Sequence, residues 1–314
     1  MMEQSNEQSK DFGFGEEQEL LKDQARRFIE EKQPLLALRE ATKGTEDPYH
    51  GEERQGSFDV AAWNEMVALG WTALAVPEAA GGLGMSLVTA VAVAEEIGRG
   101  AMPTPLTATL QSTFVLRQAS TQEANSQQAI QWLKKIVEGS SASLAIQGAA
   151  GCLELDATDV TATDNKLNGV ACFIQDLQKV DFLVVSAKDN GRLKLFCVDL
   201  NAEGVRVSHD RIVDLSRDQG GVSFNNVSAT CVAEDGDGVL NRAWPALLTL
   251  VSADIAGGCE WLLQTTAEYA KVRTQFDRPI GFFQAVKHPI VNMMIAADET
   301  RSLTYAAAAA YDAD

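Results

Sequence analysis

Histidine is scarce in this chain: His50, His209 and His288 are the three in 314 residues, too scattered to compose a metal centre. The five cysteines (Cys152, Cys172, Cys197, Cys231 and Cys259) include no pair at the CxxC spacing of a zinc or redox motif. They read as reduced thiols, which predicts a cytoplasmic protein with no bound metal. Positive charge is short too, with 26 Lys and Arg against 44 Asp and Glu, a formal net charge of −18. A surface of that sign repels nucleic acid and anionic lipid, and excludes both as partners. Any anionic ligand needs local cations of its own. No apolar run approaches bilayer length, and the opening MMEQSNEQSKDFGFGEEQE is too polar and acidic for a signal peptide, so no membrane association is expected.

What the chain does have is apolar periodicity of two kinds. Residues 1–14 read as a mobile tail. Over 16–33, Leu20, Leu21, Ala25, Phe28 and Ile29 form one helical stripe, limited by Pro34. A polar loop over 43–57 precedes a short helix over 59–69 with Trp63, Met66 and Leu69 inward. Ser86 is placed to cap a helix over 87–97, and further helices follow near 107–119 and 122–137. Gly81-Gly82-Leu83-Gly84 lacks the preceding strand and the GxGxxG spacing of a phosphate cradle, and reads as a loop near a ligand pocket. From 140 to 232 the pattern shortens to apolar runs at 143–146, 170–174, 182–185, 193–198, 205–207 and 222–224. Asn190-Gly191 between two of them is a hairpin signal. Helical spacing returns from 240, breaks at Pro279 and Gly281, and resumes through Val286, Ile290, Met293, Met294 and Ala297. The prediction is an α+β protein: a helical domain over 1–139, a β-barrel or sandwich over 140–236, and a helical bundle over 237–314.

The break at 273–281 has unusual chemistry for a helix connection. Arg273, Gln275, Phe276, Arg278, Phe282 and Phe283 crowd it, with Gln284 and His288 just beyond. An arginine fork suits phosphate, and aromatic faces suit a flat ring system. On composition alone it also reads as solvated arginines beside core phenylalanines.

The string Arg273-x-Gln-Phe-x-x-Pro-Ile-x-x-Phe-Gln-x-x-x-His288 resembles the acyl-CoA dehydrogenase signature. The likeness extends to Leu69-Gly70-Trp71-Thr72, Ala75-Val76-Pro77-Glu78, Gly81-Gly82-Leu83-Gly84 and Glu95-Glu96-Ile97-Gly98-Arg99, in the family's order. The resemblance implies an acyl-CoA dehydrogenase-like fold, with the last helical bundle incomplete in this chain. It implies FAD held between the β domain, the bundle and a neighbouring subunit, in a dimer or a pair of dimers. It further implies α,β-dehydrogenation of an acyl-CoA thioester, with electron-transfer flavoprotein as acceptor or, in an oxidase variant, oxygen. Arg273, Gln275, Phe276 and Gln284 match positions resembling the family's pyrophosphate and adenine contacts.

The β-domain contacts depart from the family pattern. The family's Asn-Gly-x-Lys-x-Trp-Ile-Thr stands here as Asn168-Gly-Val-Ala-Cys-Phe-Ile-Gln175, leaving Phe173 to face a flavin ring and Gln175 to reach its edge. The family's Thr-Glu-Pro-x-x-x-Ser-Asp loop is replaced by Gln147-Gly-Ala-Ala-Gly-Cys152, with Gln147 the remaining polar candidate. The catalytic base is missing from both family positions: one falls beyond Asp314, and the other is occupied by Pro245-Ala246-Leu247. Asp254, in an apolar stretch where an unpaired carboxylate is costly, is the candidate for a displaced base or for a hydrogen-bonded interior acid. Three readings follow: a flavin-dependent dehydrogenase subunit of a homo- or hetero-oligomer, a non-catalytic half-site subunit completing a partner's FAD site, or a fold-only interaction protein. The second resembles the weaker chain of heteromeric acyl-CoA dehydrogenases that act on bulky substrates such as steroid side chains.

Overall fold

A computed structural model describes residues 14–32, 38, 59–122, 124–152, 154–214 and 216–314. The expected tail, except Phe14, and the expected 43–57 loop and Pro34 stop lie outside the described residues.

Helices come first, among them α1 (Glu16–Lys32), α2 (Val60–Ala68), α3 (Leu87–Arg99), α4 (Leu106–Ser120) and α5 (Ser126–Val137). Local chemistry fixes where several begin. Asp59 accepts from the Ala61 and Ala62 amides at 2.9 and 3.1 Å, and Ser86 accepts from the Thr89 amide at 3.3 Å. α3 is buried from Leu87 through Gly98, so it is the helix the others surround. α1 lies across it by charge as well as by Ala25 and Ile29: Arg26 grips Glu96 through two hydrogen bonds, and Lys22 donates to Glu95.

Among the described residues eight strands follow: β1 (Ala142–Ala145), β2 (Asp159–Thr163), β3 (Lys166–Gln175), β4 (Phe182–Asp189), β5 (Arg192–Asp199), β6 (Val205–His209), β7 (Gln219–Ser228) and β8 (Thr230–Ala233). Their order is β6-β7-β3-β2-β4-β5-β8, with β1 parallel to β4 along the edge it shares with β2. Asn190 and Gly191, at φ +49° and +80°, close the β4–β5 hairpin as their dipeptide predicts. β2 and β8 were not expected, because DVTAT and TCVA are too short and too polar to register as apolar runs. β4 opens on the apolar run Phe182–Val185 and is buried through Ala187 because both of its faces are covered. Leu183, Val185 and Ala187 pack inside the sheet with Ala171, Ile174, Phe196 and Phe224; Phe182 and Val184 pack outside against Trp132, Leu133 and Leu240.

Two long helices complete the chain: α6 (Gly236–Val272) and α7 (Gln284–Asp312), joined through a two-stranded turn, β9 (Thr274–Gln275) and β10 (Arg278–Pro279). α6 crosses α3 at glycines because nothing larger fits. A Cβ on Gly257 would lie 1.8 Å from the Glu95 carbonyl oxygen, and one on Gly98 would lie 1.9 Å from that of Asp254. α7 returns to the first layer, where Tyr305 donates to Glu95 at 2.6 Å and Asp312 accepts from the Leu87 and Val88 amides at 2.7 and 3.0 Å. One sequence expectation needs correction. Among the described residues α6 is long and apolar enough to cross a bilayer, by length and composition, with mean hydropathy 1.4 over an 18-residue window. Alanines and glycines interleaved with short aliphatic runs give it that length, which a search for unbroken runs passes over. Its inner residues Ala243, Ala246, Leu250, Ala253 and Gly257 are buried within the protein. Helices, a mixed sheet and a closing helical pair make the α+β architecture that the sequence predicts.

Candidate functional site

A cleft of about 190 Å³ opens between the sheet and α6. Gln147, Cys172, Phe173 and Gln175 line it from the sheet, Gln111 from α4, and Trp244, Leu247 and Val251 from α6. The sheet wall is built by a break in regularity. The pairing of β3 with β7 shifts register between Ala171 and Ile174, and Phe173 within that bulge sits at φ +57°. A bulge re-aims side chains, and here it leaves Phe173 44% exposed, lining the cleft. Gln147 is set beside it by a backbone bridge, the Cys172 amide donating to the Gln147 carbonyl at 2.9 Å. Gln175 ends the strand, its Nε2 donating to Asp176 at 3.3 Å. Three residues singled out in the sequence, Gln147, Phe173 and Gln175, thus share one cavity.

The other candidates lie elsewhere on this chain. The turn between β9 and β10 places Phe276 and Asp277 at φ +55° and +59°, so that Phe276 projects outward, 84% exposed. Positive φ at both central residues is what a two-residue hairpin turn requires, and here a bulky phenylalanine occupies one of the two positions. Phe276 and Phe282 each stand edge-on to Phe283, and the Arg278 guanidinium lies 4.5 Å from the Phe282 ring. Arg273, Gln275 and Gln284 are exposed around this aromatic group, and none of them lines the cleft.

Asp254 does not line the cleft either. It sits on α6 one turn beyond Val251, its Oδ1 accepting from Arg217 Nη2 at 2.6 Å. Burial pushes its carboxyl above the usual range, against the pull of Arg217. The interior-acid reading therefore has a partner to name. No carboxylate is among the described residues lining the cleft. Sequence reasoning missed Gln111, whose Nε2 donates to the Leu247 carbonyl at 3.2 Å, and Trp244. Both sit in ordinary helical pattern, and only the long-range fold turns them to the cleft. It also missed Arg217, which sits in an irregular segment with no periodic signal.

The polar wall and the aromatic face suit a flat, polar-edged ring. Phe173 offers a surface to stack on, and the Gln147 and Gln175 amides offer hydrogen bonds at its rim.

Comparison with known proteins agrees with this geometry. Residues 15–140 match the family model of the acyl-CoA dehydrogenase N-terminal domain, and residues 249–314 match that of the C-terminal domain. Acyl-CoA dehydrogenase FadE34 of Mycobacterium tuberculosis is 30% identical over 280 residues, which is 87% of this chain and 35% of that protein. Acyl-CoA dehydrogenase IpdE2 of the same organism is 29% identical over 78% of this chain and 64% of its own length. The chain therefore spans about a third of one curated relative and just under two thirds of the other. Among solved structures, a variant of the Tcur3481-Tcur3483 steroid ACAD superposes with a TM-score of 0.79 at 26% identity, covering 93% of this chain and 77% of that one. Butyryl-CoA dehydrogenase from Megasphaera elsdenii, at 20% identity, shares the fold with a TM-score of 0.81 over 96% of this chain and 81% of its own. Two matched domains, a common fold and a cleft between sheet and helix together establish that the chain belongs to the acyl-CoA dehydrogenase family.

Proposed function

We propose that this chain serves FAD-dependent α,β-dehydrogenation of an acyl-CoA as one subunit of an oligomer, contributing to the cofactor site without supplying the base from its cleft. The observation that carries this reading is the composition of the cleft: an exposed aromatic face and rim amides, but no carboxylate among the described lining residues. FAD bound there would supply the hydride acceptor. The protein's own part is then to stack, orient and exclude water. Phe173 would lie against the ring, Gln147 and Gln175 would bond its edge, and Leu247 with Val251 would give the acyl chain an apolar wall. Arg273, Gln275, Phe276 and Gln284, presented outward on the turn and the start of α7, would hold the cofactor's nucleotide portion across a subunit boundary. Proton abstraction needs a base within hydrogen-bond reach of the substrate, and none of the described residues lining this cleft offers a carboxylate for it. Electron-transferring flavoprotein is the acceptor that belongs with this reading.

The half-site form of the proposal is favoured by the Gln147–Cys152 segment, which lacks the hydroxyls and acid of the family's loop. In that form a related subunit provides base and substrate pocket. The steroid ACAD likeness supports a bulky acyl group as its substrate. The test is an absorbance spectrum of the chain purified alone and co-expressed with a related chain. We expect flavin bands in the assembled oligomer, and Arg273→Ala to weaken FAD retention about ten-fold or more through loss of a charge-assisted phosphate contact. A chain that never carries flavin with any partner sinks the proposal, and a chain that alone turns over a thioester sinks its half-site form.

A further inference from the structure

The two walls of the cleft belong to different parts of the chain. One is the sheet with Gln175 at the end of β3; the other is α6 with Trp244, Leu247 and Val251. Apolar packing joins them near the start of α6, where Leu240 and Leu247 share a core with Phe182 and Leu195. One turn beyond Val251 the joint is polar. Arg217, in the segment between β6 and β7, reaches over to Asp254 at 2.6 Å.

That segment is held from behind by charge that is itself buried. The Asp218 carboxylate accepts from the Gln178 amide at 3.1 Å, and its carbonyl accepts from the Asp176 amide at 2.9 Å. Lys179, its side chain 2% exposed, lies 2.8 Å from Asp176 and 2.9 Å from Asp218. The second oxygen of Asp176 takes the Gln175 amide. Polar contacts therefore link an amide in the sheet wall through Asp176 and Lys179 to Asp218, and its backbone neighbour Arg217 reaches a carboxylate on the helix wall. Arg217 Nη1 is buried with no hydrogen-bond partner. An unsatisfied guanidinium nitrogen costs stability, and the part-buried contact with Asp254 offsets that cost only in part. It holds two elements at a fixed spacing.

We propose that the Arg217–Asp254 pair is a strut setting the separation of the cleft walls, with Asp176, Lys179 and Asp218 as its footing. Arg217 and Asp254 are then positioning residues: they fix where Gln175 and Phe173 stand relative to Trp244 and Val251. The inference rests on reading the cleft as the cofactor-facing site, and it gives Asp254 a role that involves no proton transfer.

Cys172 lines the cleft and reports its opening without any cofactor. In a chain carrying Cys152→Ser, Cys231→Ser and Cys259→Ser, the remaining Cys197 is buried, so reaction with N-ethylmaleimide reads Cys172. Arg217→Ala and Asp254→Ala should each raise its rate roughly three-fold or more, because the wall opens more often. The double variant should be no faster than either single one, and Arg217→Asp combined with Asp254→Arg should restore a slow rate. Should either alanine variant fail to fold, the polar, uncharged Arg217→Gln and the near-isosteric Asp254→Asn carry the same comparison. Unchanged rates in folded single variants, or effects that add in the double variant, overturn the strut. FAD titration of the unaltered chain with its partner is a separate arm. Failure to bind there removes the cofactor reading and leaves the thiol result standing.

Discussion

Glu95 holds three partners at once. Lys22 and the Tyr305 hydroxyl share its Oε2, and Arg301 Nε lies 3.3 Å from Oε1 without the alignment of a hydrogen bond. Glu95 and Lys22 are both buried, and burial pulls the Lys22 ammonium below its ordinary pKa against the opposing pull of Glu95. Removing one partner strands the other's charge. Glu95→Gln should therefore cost about 3–5 kcal/mol, read from the urea midpoint at unchanged slope. Tyr305 responds in the opposite sense to Lys22. Burial first, and then the Glu95 charge, push its hydroxyl well above the ordinary 10.0. Its folded pKa exceeds the unfolded one, so its contribution is complete below the unfolded value and is lost as pH rises toward the folded value. Tyr305→Phe should leave the phenolate absorbance change of the folded protein up to about pH 12 unaltered, since Tyr305 contributes none of it. A smaller amplitude in the variant would show the hydroxyl titrating normally. The Glu95-Glu96 pair was legible as part of a family string; its use as a buried anchor was not, because Lys22, Arg301 and Tyr305 are distant in sequence.

At the scale of elements, α3 is held by features that propensity does not describe. Its first turn has orphan amides, and two of them are satisfied by Asp312 from the far end of the chain. Asp312→Ala should cost about 1 kcal/mol, as loss of a cap does. The crossing with α6 gives a sharper test from two adjacent glycines. Gly257→Ala drives a methyl into the Glu95 carbonyl and should destabilise by about 1–3 kcal/mol or more. Gly258 has its nearest such neighbour, the Gly98 carbonyl oxygen, at 3.9 Å, and Gly258→Ala should stabilise by roughly 0.4–1 kcal/mol as the unfolded chain loses freedom. Thermal melts of the two variants should move in opposite directions. Which glycine faces α3 follows from the crossing geometry, which the string AGGC does not encode. The caps at Asp59 and Ser86 and the Asn190-Gly191 turn were legible, because each acts within three or four residues. Gln147, Phe173 and Gln175 were legible through the resemblance, and the bulge that turns Phe173 outward was not.

At the scale of the molecule, net charge and the outer face of the last two helices work against each other. Copies of a chain at −18 repel, yet Ile255, Leu262 and Val272 on α6 and Val291, Ile295 and Leu303 on α7 are exposed, as is Phe276 at their junction. Isolated apolar residues on a surface need no explanation, but this many along one helical pair predicts a partner. If that partner is another copy or a similarly acidic relative, association should strengthen as salt screens the repulsion, because apolar burial does not weaken with salt. Sedimentation velocity should show a larger assembly at about 0.5 M than at about 0.02 M salt, where the Debye length is several-fold longer. Leu262→Glu with Ile295→Glu should hold the chain as a monomer at both. Flavin retention should fall in the same variant, since the Arg273 and Phe276 contacts would need the neighbour in place. A monomer at every salt concentration that still keeps its flavin would separate cofactor binding from assembly and refute their coupling.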